Sequence, residues 1–465
     1  MKSIEEPAKK ILVIAETEVL VIGGGPAGIS AALAASREGV DTMIVERYGC
    51  FGGVITQSMI GTIAWYRYAK TVEAGGISME FERRAKNMDA TVDIFGDIKN
   101  KDTLENIKKE GLIVDGKPTY EVLDTELFKY LADKMLEESG VVPLLHCYAV
   151  DVIMDGNTII GVITESKSGR KAILAKRVID ATGDGDIAFF AKAPFRKNPK
   201  SELMSVSVNF GCSGVNIEKY LDYFYLNPGK IGDWGETKDK DGFSTYLTEP
   251  FIKAKKAGEI PEHVNIESYW TNYTDAGELG SFNAIHMKDI DPIDVWDLTK
   301  AEIEGRKRVL WAVKALKNYT PGFEKARLRT IGSSLGVRES RKIIGEYNIT
   351  EHDVRNEARF NDSIGICPEF IDGYGVAIMP ITGRYFQVPI GIILPLEVEN
   401  LLVAGRCVAG DKISHGATRQ MVCCIITGQG AGVAAAVSIK QKVVCRSVDI
   451  PTVQNNLKKQ GVRIE

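Results

Sequence analysis

The sequence lacks an excess of either charge. Lys and Arg total 58, Asp and Glu total 62, and the net charge is −4. Such a balance gives no electrostatic footprint for nucleic acid. No basic amphipathic helix or polybasic tail marks a membrane surface. Cysteine is present, at eight positions, but no two stand as C-x-x-C. That spacing excludes zinc ribbons, ferredoxin-type clusters and thioredoxin-type motifs, and no metal site is expected. The thiols read as small buried hydrophobes. A membrane span needs ~20 unbroken apolar residues. The longest apolar stretch, Val19 to Ala35, is interrupted by Gly23, Gly24, Gly25, Pro26 and Gly28. Met1 to Lys10 is polar and lacks a secretory apolar segment. These absences predict a soluble, cytoplasmic protein whose partner is a small molecule.

Glycine is abundant, at 46 of 465 residues. Extra glycine marks backbone that turns tightly or approaches a ligand closely. Its placement is informative. Val19–Ile22 is a short β-branched run suited to a buried strand. Gly-rich punctuation follows, then an Ala-rich helix over Ile29–Arg37 stopped by Gly39, then a second strand, Thr42–Val45. Strand, turn, helix, strand is the crossover unit of a parallel α/β sheet. Asp124–Glu138 has a helical stripe. Val150–Asp180 predicts a three-stranded meander with turns at Asp155-Gly156 and Ser168-Gly169. The α/β rhythm lapses from about 187 to 370, apart from a long helix over Asp297–Asn318. It returns with the strand-like Asn400–Gly405 and a Gly/Ala-rich helix over Gly428–Ile439. The domains expected are therefore 1–186, an inserted lobe 187–375, and a returning segment 376–465.

Gly23-x-Gly25-x-x-Gly28 follows a strand and opens a helix, and Glu46 ends the next strand. That context makes it a dinucleotide fingerprint. Gly23 permits the turn, Gly25 lets backbone N–H groups reach a pyrophosphate at the helix end, and Gly28 lets helix and strand pack. The Glu46 carboxylate suits ribose hydroxyls and repels a 2′-phosphate. FAD and NAD share this fingerprint. Further small-residue stretches at Cys50-Phe-Gly52-Gly53, at Ala181-Thr-Gly183-Asp184 and beyond residue 400 suit the longer cofactor, FAD.

Together these motifs and Leu402-Val-Ala-Gly405-Arg406 resemble glutathione-reductase-type FAD flavoproteins. Gly336-Val-Arg-Glu-Ser-Arg341 through Tyr347, and Arg419 through Gly432, are similar to one FAD-dependent oxidoreductase family. It is akin to the flavoproteins of heterodisulfide reductase and to fumarate-reductase-like flavoproteins. The resemblance implies an α/β fold: a Rossmann FAD-binding domain with an inserted α+β substrate lobe. It implies that Gly23, Gly25, Pro26, Ala27, Gly28, Glu46, Arg47, Gly52, Gly53, Ala181, Gly183 and Asp184 hold the AMP, ribose and pyrophosphate. Gly405, Arg406, Gly428, Gln429 and Gly430 would approach the ribityl chain and flavin, with a helix starting near Gly428 aimed at the ring. Thr56-Gln57-Ser58 stands where related enzymes carry a covalent His anchor, so the FAD is expected to be non-covalent. No second G-x-G-x-x-G exists for a dedicated NAD(P)H domain, which leaves NAD(P)H as a transient donor.

Hydride chemistry at a flavin needs a matching proton. Among five His, His415 precedes the flavin helix and is the first candidate; His286, in the lobe, is the second. Arg419 and Arg341 lead the candidates for holding a carboxylate or carbonyl, with Arg338 and Arg384 behind them. A structural pair of Arg341 with Glu346 is the alternative. Trp65, Tyr66 and Tyr68 are candidates for stacking. The reaction expected is reduction of an activated C=C or the reverse dehydrogenation. A flavin monooxygenase or oxidase, and an electron-relay component docking a redox partner protein, stay open, as does a homo-oligomer.

Overall fold

In the computed structural model, residues 2–62, 73–92, 122–226, 249–264, 276–378 and 383–465 are described, with a few short strands between them. Trp65, Tyr66 and Tyr68 lie outside the described residues. Strand β1 (Leu12–Ile22) is exposed along its first part and wholly buried over Val19–Ile22. Helix α1 (Pro26–Arg37) crosses over to β2 (Thr42–Val45), which pairs parallel with those four buried residues. Short α2 (Val54–Gln57), then α3 (Gly76–Lys86) and α4 (Leu127–Glu138), lead to β3 (Val142–Leu144), parallel to β2. The predicted meander is β4 (Tyr148–Asp155), β5 (Thr158–Glu165) and β6 (Lys171–Asp180), with antiparallel pairings. β6 also runs parallel to β1 along its whole length. Short α5 (Asp186–Phe190) follows.

The lobe is an antiparallel sheet of β7 (Val206–Ser213), β8 (Asn272–Thr274), β9 (Glu278–Met287) and β10 (Arg327–Ile331), in the order β8-β9-β7-β10. Helix α6 (Glu249–Lys256) lies beside α7 (Val295–Tyr319), whose inner face backs the sheet. At Gly305 a Cβ would stand 2.3 Å from the Val208 side chain, so only glycine admits α7 so close.

The chain then returns to the first body with β11 (Ser363–Pro368), β12 (Tyr385–Pro389), β13 (Leu401–Val403), short α8 (His415–Thr418), α9 (Met421–Gln441) and α10 (Ile450–Lys459). β13 pairs parallel with the last three residues of β6. Two hydrophobic cores result among the described residues. One joins residues up to Ala193 with those from Ile343 onward; the other spans Val206 to Leu335. The lobe thus closes well before the expected boundary at 375. The residues between belong to the first core because β11 is buried along its length against α9.

α9 begins at Met421, not near Gly428, and is buried on all sides from Val422 to Ser438. By length and composition it is apolar enough to cross a membrane, yet 94% of its most apolar window is buried within the protein. A disulfide between Cys367 of β11 and Cys423 ties its first turn to the sheet. The two cysteines are 56 residues apart, a pairing that spacing alone does not reveal.

Candidate active site

The Gly-rich turn between β1 and α1 is held from both sides. Gly23 donates its N–H to the Val45 carbonyl at 2.8 Å, which fixes the turn against the end of β2. Gly24 donates to Glu46 Oε2 at 2.6 Å, and Tyr48 N–H donates to Glu46 Oε1 at 2.9 Å. The Glu46 carboxylate is 5% exposed and fixed in place. The second Gly-rich loop rests on the first: Gly52 N–H donates to the Gly24 carbonyl at 2.8 Å. Gly53, at φ 51°, has its backbone against Gly25 Cα.

Three fingerprint glycines then differ in purpose. A Cβ on Gly23 would strike the Ala181 carbonyl, and one on Gly28 would strike the Gly23 carbonyl at 1.8 Å. Both close the protein upon itself. A Cβ on Gly25 would meet nothing nearer than Gly53 Cα at 3.9 Å. Gly25 is also the N-cap of α1, and no side chain caps that helix end. Open space before uncapped N–H groups at a positive helix end suits a phosphate group. These residues fit a dinucleotide with Pro26 and Ala27 in the first turn and Glu46 beside the ribose. Arg47 is exposed, its guanidinium 4.8 Å above the Tyr48 ring.

Other expected cofactor residues are engaged within the protein. Arg406 lies across Gly183, where a Cβ would come 2.7 Å from Nη2. That nitrogen donates to Asp184 Oδ1 at 2.9 Å, and Ser340 Oγ donates to the same oxygen at 2.7 Å. The small residue at 183 therefore admits a guanidinium. Asp180, not anticipated, braces the Ala181–Gly183 turn by accepting from Thr182 N–H, Thr182 Oγ1 and Ala188 N–H. Gly405, at φ 85°, donates to Thr427 Oγ1 at 3.0 Å and lies near Ala27.

Gly428, Gln429 and Gly430 sit two turns inside α9, not at its start. A Cβ on Gly428 would fall 2.1 Å from the Ala27 carbonyl, and one on Gly432 2.2 Å from the Ala31 carbonyl. The pair, four residues apart, packs against small residues of α1. Gln429 Oε1 accepts from Ile77 N–H at 3.0 Å, and Gly430 packs on Ile364. Gly428 thus seats α9 on α1, Gln429 ties it to α3, and Gly430 seats it on β11.

A second polar group lies where the two cores meet. β9 is irregular here: Ile285 and Phe282 face Val208 and Phe210, so three steps of β9 match two of β7. Such a bulge re-aims side chains. It brings Asn283 and His286, three residues apart, together, and His286 Nε2 donates to Asn283 Oδ1 at 3.0 Å. Arg338 Nη2 approaches the same oxygen at 3.4 Å, and Nη1 donates to the Ser205 carbonyl. Burial first, and then the Arg338 charge, push the His286 pKa down to about 3, although Asp372 opposes the shift. Asp372 in turn accepts from Arg419 Nη2 through both its carbonyl and Oδ2 at 2.6 Å. Arg419 Nε is buried with no partner among the described residues.

His415, 1% exposed, completes the group. Its Nε2–H donates to the Arg338 carbonyl at 3.0 Å, and its buried Nδ1 has no partner among the described residues. Burial, then the charges of Lys342 and Arg419, hold its pKa well below the imidazole range. The ring is thus buried, held neutral and bonded to main chain on its Nε2 side. Arg341 is elsewhere. It pairs with Asp186 at 2.8 Å, not with Glu346, and its guanidinium lies 4.3 Å from the Phe189 ring centre. Glu346 pairs with Arg446 instead. Arg384 pairs with the buried Glu369. The sequence missed Asn283 and Asp372; the only signal was the proximity of Asn283 to His286.

A family model described as FAD dependent oxidoreductase matches residues 18–457. Dihydrolipoyl dehydrogenase of Haemophilus influenzae is 44% identical over 59 residues, 12% of each chain. Thiamine thiazole synthase of Methanococcus vannielii is 30% identical over 176 residues, 36% of this chain and 56% of that protein. The match thus spans less than two-thirds of either relative. Among solved structures, a geranylgeranyl bacteriochlorophyll reductase-like protein of Thermoplasma acidophilum is 13% identical with a TM-score of 0.46, covering 96% of this chain and 83% of that one. L-proline dehydrogenase from P. horikoshii is 11% identical with a TM-score of 0.44, covering 97% and 100%.

Proposed function

Because this chain belongs to the FAD-dependent oxidoreductase family, we propose that it moves hydride to or from a small organic substrate held where its two cores meet. The direction is reduction of an activated C=C or the reverse dehydrogenation. Bound FAD supplies the two-electron hydride chemistry. Gly25 and the first turn of α1 hold its diphosphate, and Glu46 its ribose. The observation that carries the substrate reading is the convergence of Arg338, Arg419 and His286, from separate segments, around Asn283 and Asp372.

The roles follow from charge. Arg338 and Arg419 orient a carbonyl or carboxylate oxygen, stabilising negative charge that develops there. His286, held neutral by its surroundings, serves as a hydrogen-bonding partner rather than a cationic acid. His415 is a positioning residue that fixes the Arg338 main chain. Arg341 braces the Asp184–Asp186 turn. NAD(P)H acts as a transient donor.

The test is anaerobic. The purified holoenzyme is reduced by NADH, NADPH or dithionite and mixed with enones or α,β-unsaturated acids, while the oxidised holoenzyme is mixed with their saturated counterparts, whose dehydrogenation would reduce the flavin. Substrate-dependent flavin reoxidation without oxygen, lost in Arg419→Met with FAD retained, is the expected result. Turnover only with oxygen, giving an oxygenated product, would overturn it.

A further inference from the structure

Helix α7 carries an outward stripe that the core does not use. Trp296, Ile303 and Leu310 are 79%, 62% and 60% exposed, and Val295 beside them is 67% exposed. They recur every seventh residue, so they form one row along the helix. Lys300, Lys307 and Lys314 stand between and beyond them on the same row, and Lys317 continues it; all four are exposed. Lys314 reaches Glu259 at 3.3 Å, and Lys307 lies 5.0 Å from the Trp311 ring centre. Lys300, Lys307 and Lys317 have no ion pair among the described residues. The nearby acids Glu302 and Glu304 are engaged by Arg306 and Arg308. The opposite face, with Ala301, Gly305, Val309, Ala312 and Leu316, is the one buried. Adjacent α6 adds Ile252, 49% exposed, with exposed Lys253 and Lys256. Single exposed apolar residues need no explanation. An aligned row that includes a Trp and alternates with lysines does.

We propose that this face of α7 seats on an anionic membrane surface. A row that alternates apolar and cationic groups needs a partner that meets both within each turn. Phospholipid headgroups do so: apolar side chains sink to the acyl boundary while lysine ammonium groups reach back to phosphate. The attraction is local, since the whole chain is net negative. A second copy is a poor occupant. A helix seam between copies wants apolar residues at both alternating positions, and here one of the two is lysine, which self-pairing would set against lysine.

The test is co-sedimentation of the full-length holoenzyme with vesicles of phosphatidylcholine alone or of equal parts phosphatidylcholine and phosphatidylglycerol. Binding to the anionic vesicles is expected, and high salt should abolish it. It should weaken about tenfold in Ile303→Glu/Leu310→Glu and in Lys300→Glu/Lys307→Glu, with flavin absorbance confirming that the variants fold. No binding to anionic vesicles, or equal binding by both variants, would overturn the proposal. So would capture of an acidic soluble protein through the stripe without vesicle binding.

Discussion

His415 donates Nε2–H to the main-chain carbonyl of Arg338 at 3.0 Å, so a buried neutral imidazole sets the position of a guanidinium 77 residues earlier in the chain. We predict that His415→Ala retains FAD and raises KM severalfold, while the pH profile of kcat keeps the wild-type shape. Steady-state kinetics across pH measure this. A lost ionisation in that profile would return His415 to proton transfer. Some instability accompanies the change, since a buried carbonyl left without its donor costs about 1–3 kcal/mol.

His286 predicts an acid sensitivity. Its native pKa of about 3 lies below the ~6.5 of an unfolded imidazole. As pH falls through 6.5, the unfolded chain binds the proton and the native chain does not. The stability this neutral residue permits is present above ~6.5 and is lost toward the native value. In denaturant titrations at pH 7 and pH 5, the stability of wild type relative to His286→Asn should drop by about 1–2 kcal/mol at the lower pH. An unchanged difference would mean that His286 titrates normally.

Gly25→Val should yield folded protein without flavin. The added side chain enters open space, where no protein atom lies within 3.9 Å of the Cβ. Far-UV circular dichroism should match wild type, and the absorbance near 450 nm characteristic of flavin should be absent. A yellow variant would contradict the phosphate assignment.

Gly428→Val should behave in the opposite way. Its Cβ would overlap the Ala27 carbonyl at 2.1 Å. Overpacking of this kind costs ~1–3 kcal/mol or more. Thermal melting should fall by several degrees in apoprotein and holoprotein alike. A defect confined to FAD affinity would instead favour cofactor contact at 428.

The cofactor half was legible because its constraints are local. The turn glycines, β2 and Glu46 lie within 24 residues, and each step obeys backbone sterics. The meander was legible through Asp155-Gly156 and Ser168-Gly169, both with a positive-φ glycine. The start of α9 was hidden because a helix buried on every side has no polar face to give it a period. Two of its glycines, Gly428 and Gly432, serve the approach of α1, a packing role that sequence alone does not separate from ligand contact. The cluster around Arg338 was hidden because a bulge in β9 and segments from both cores assemble it. The stripe on α7 was hidden for a related reason. Apolar residues occur on both sides of that helix, so no single amphipathic signal stands out.

The interlock of α1 with α9 bears on the order of biosynthesis. α1 is covered by Gly428 and Gly432, and β6 gains β13 only when residues 401–403 arrive. The nucleotide loop emerges from the ribosome early, yet its supporting wall is translated nearly four hundred residues later. A nascent chain halted after residue 186 leaves the alanine ridge of α1 bare to water. The packing that holds α1 in place therefore forms only once α9 has been made.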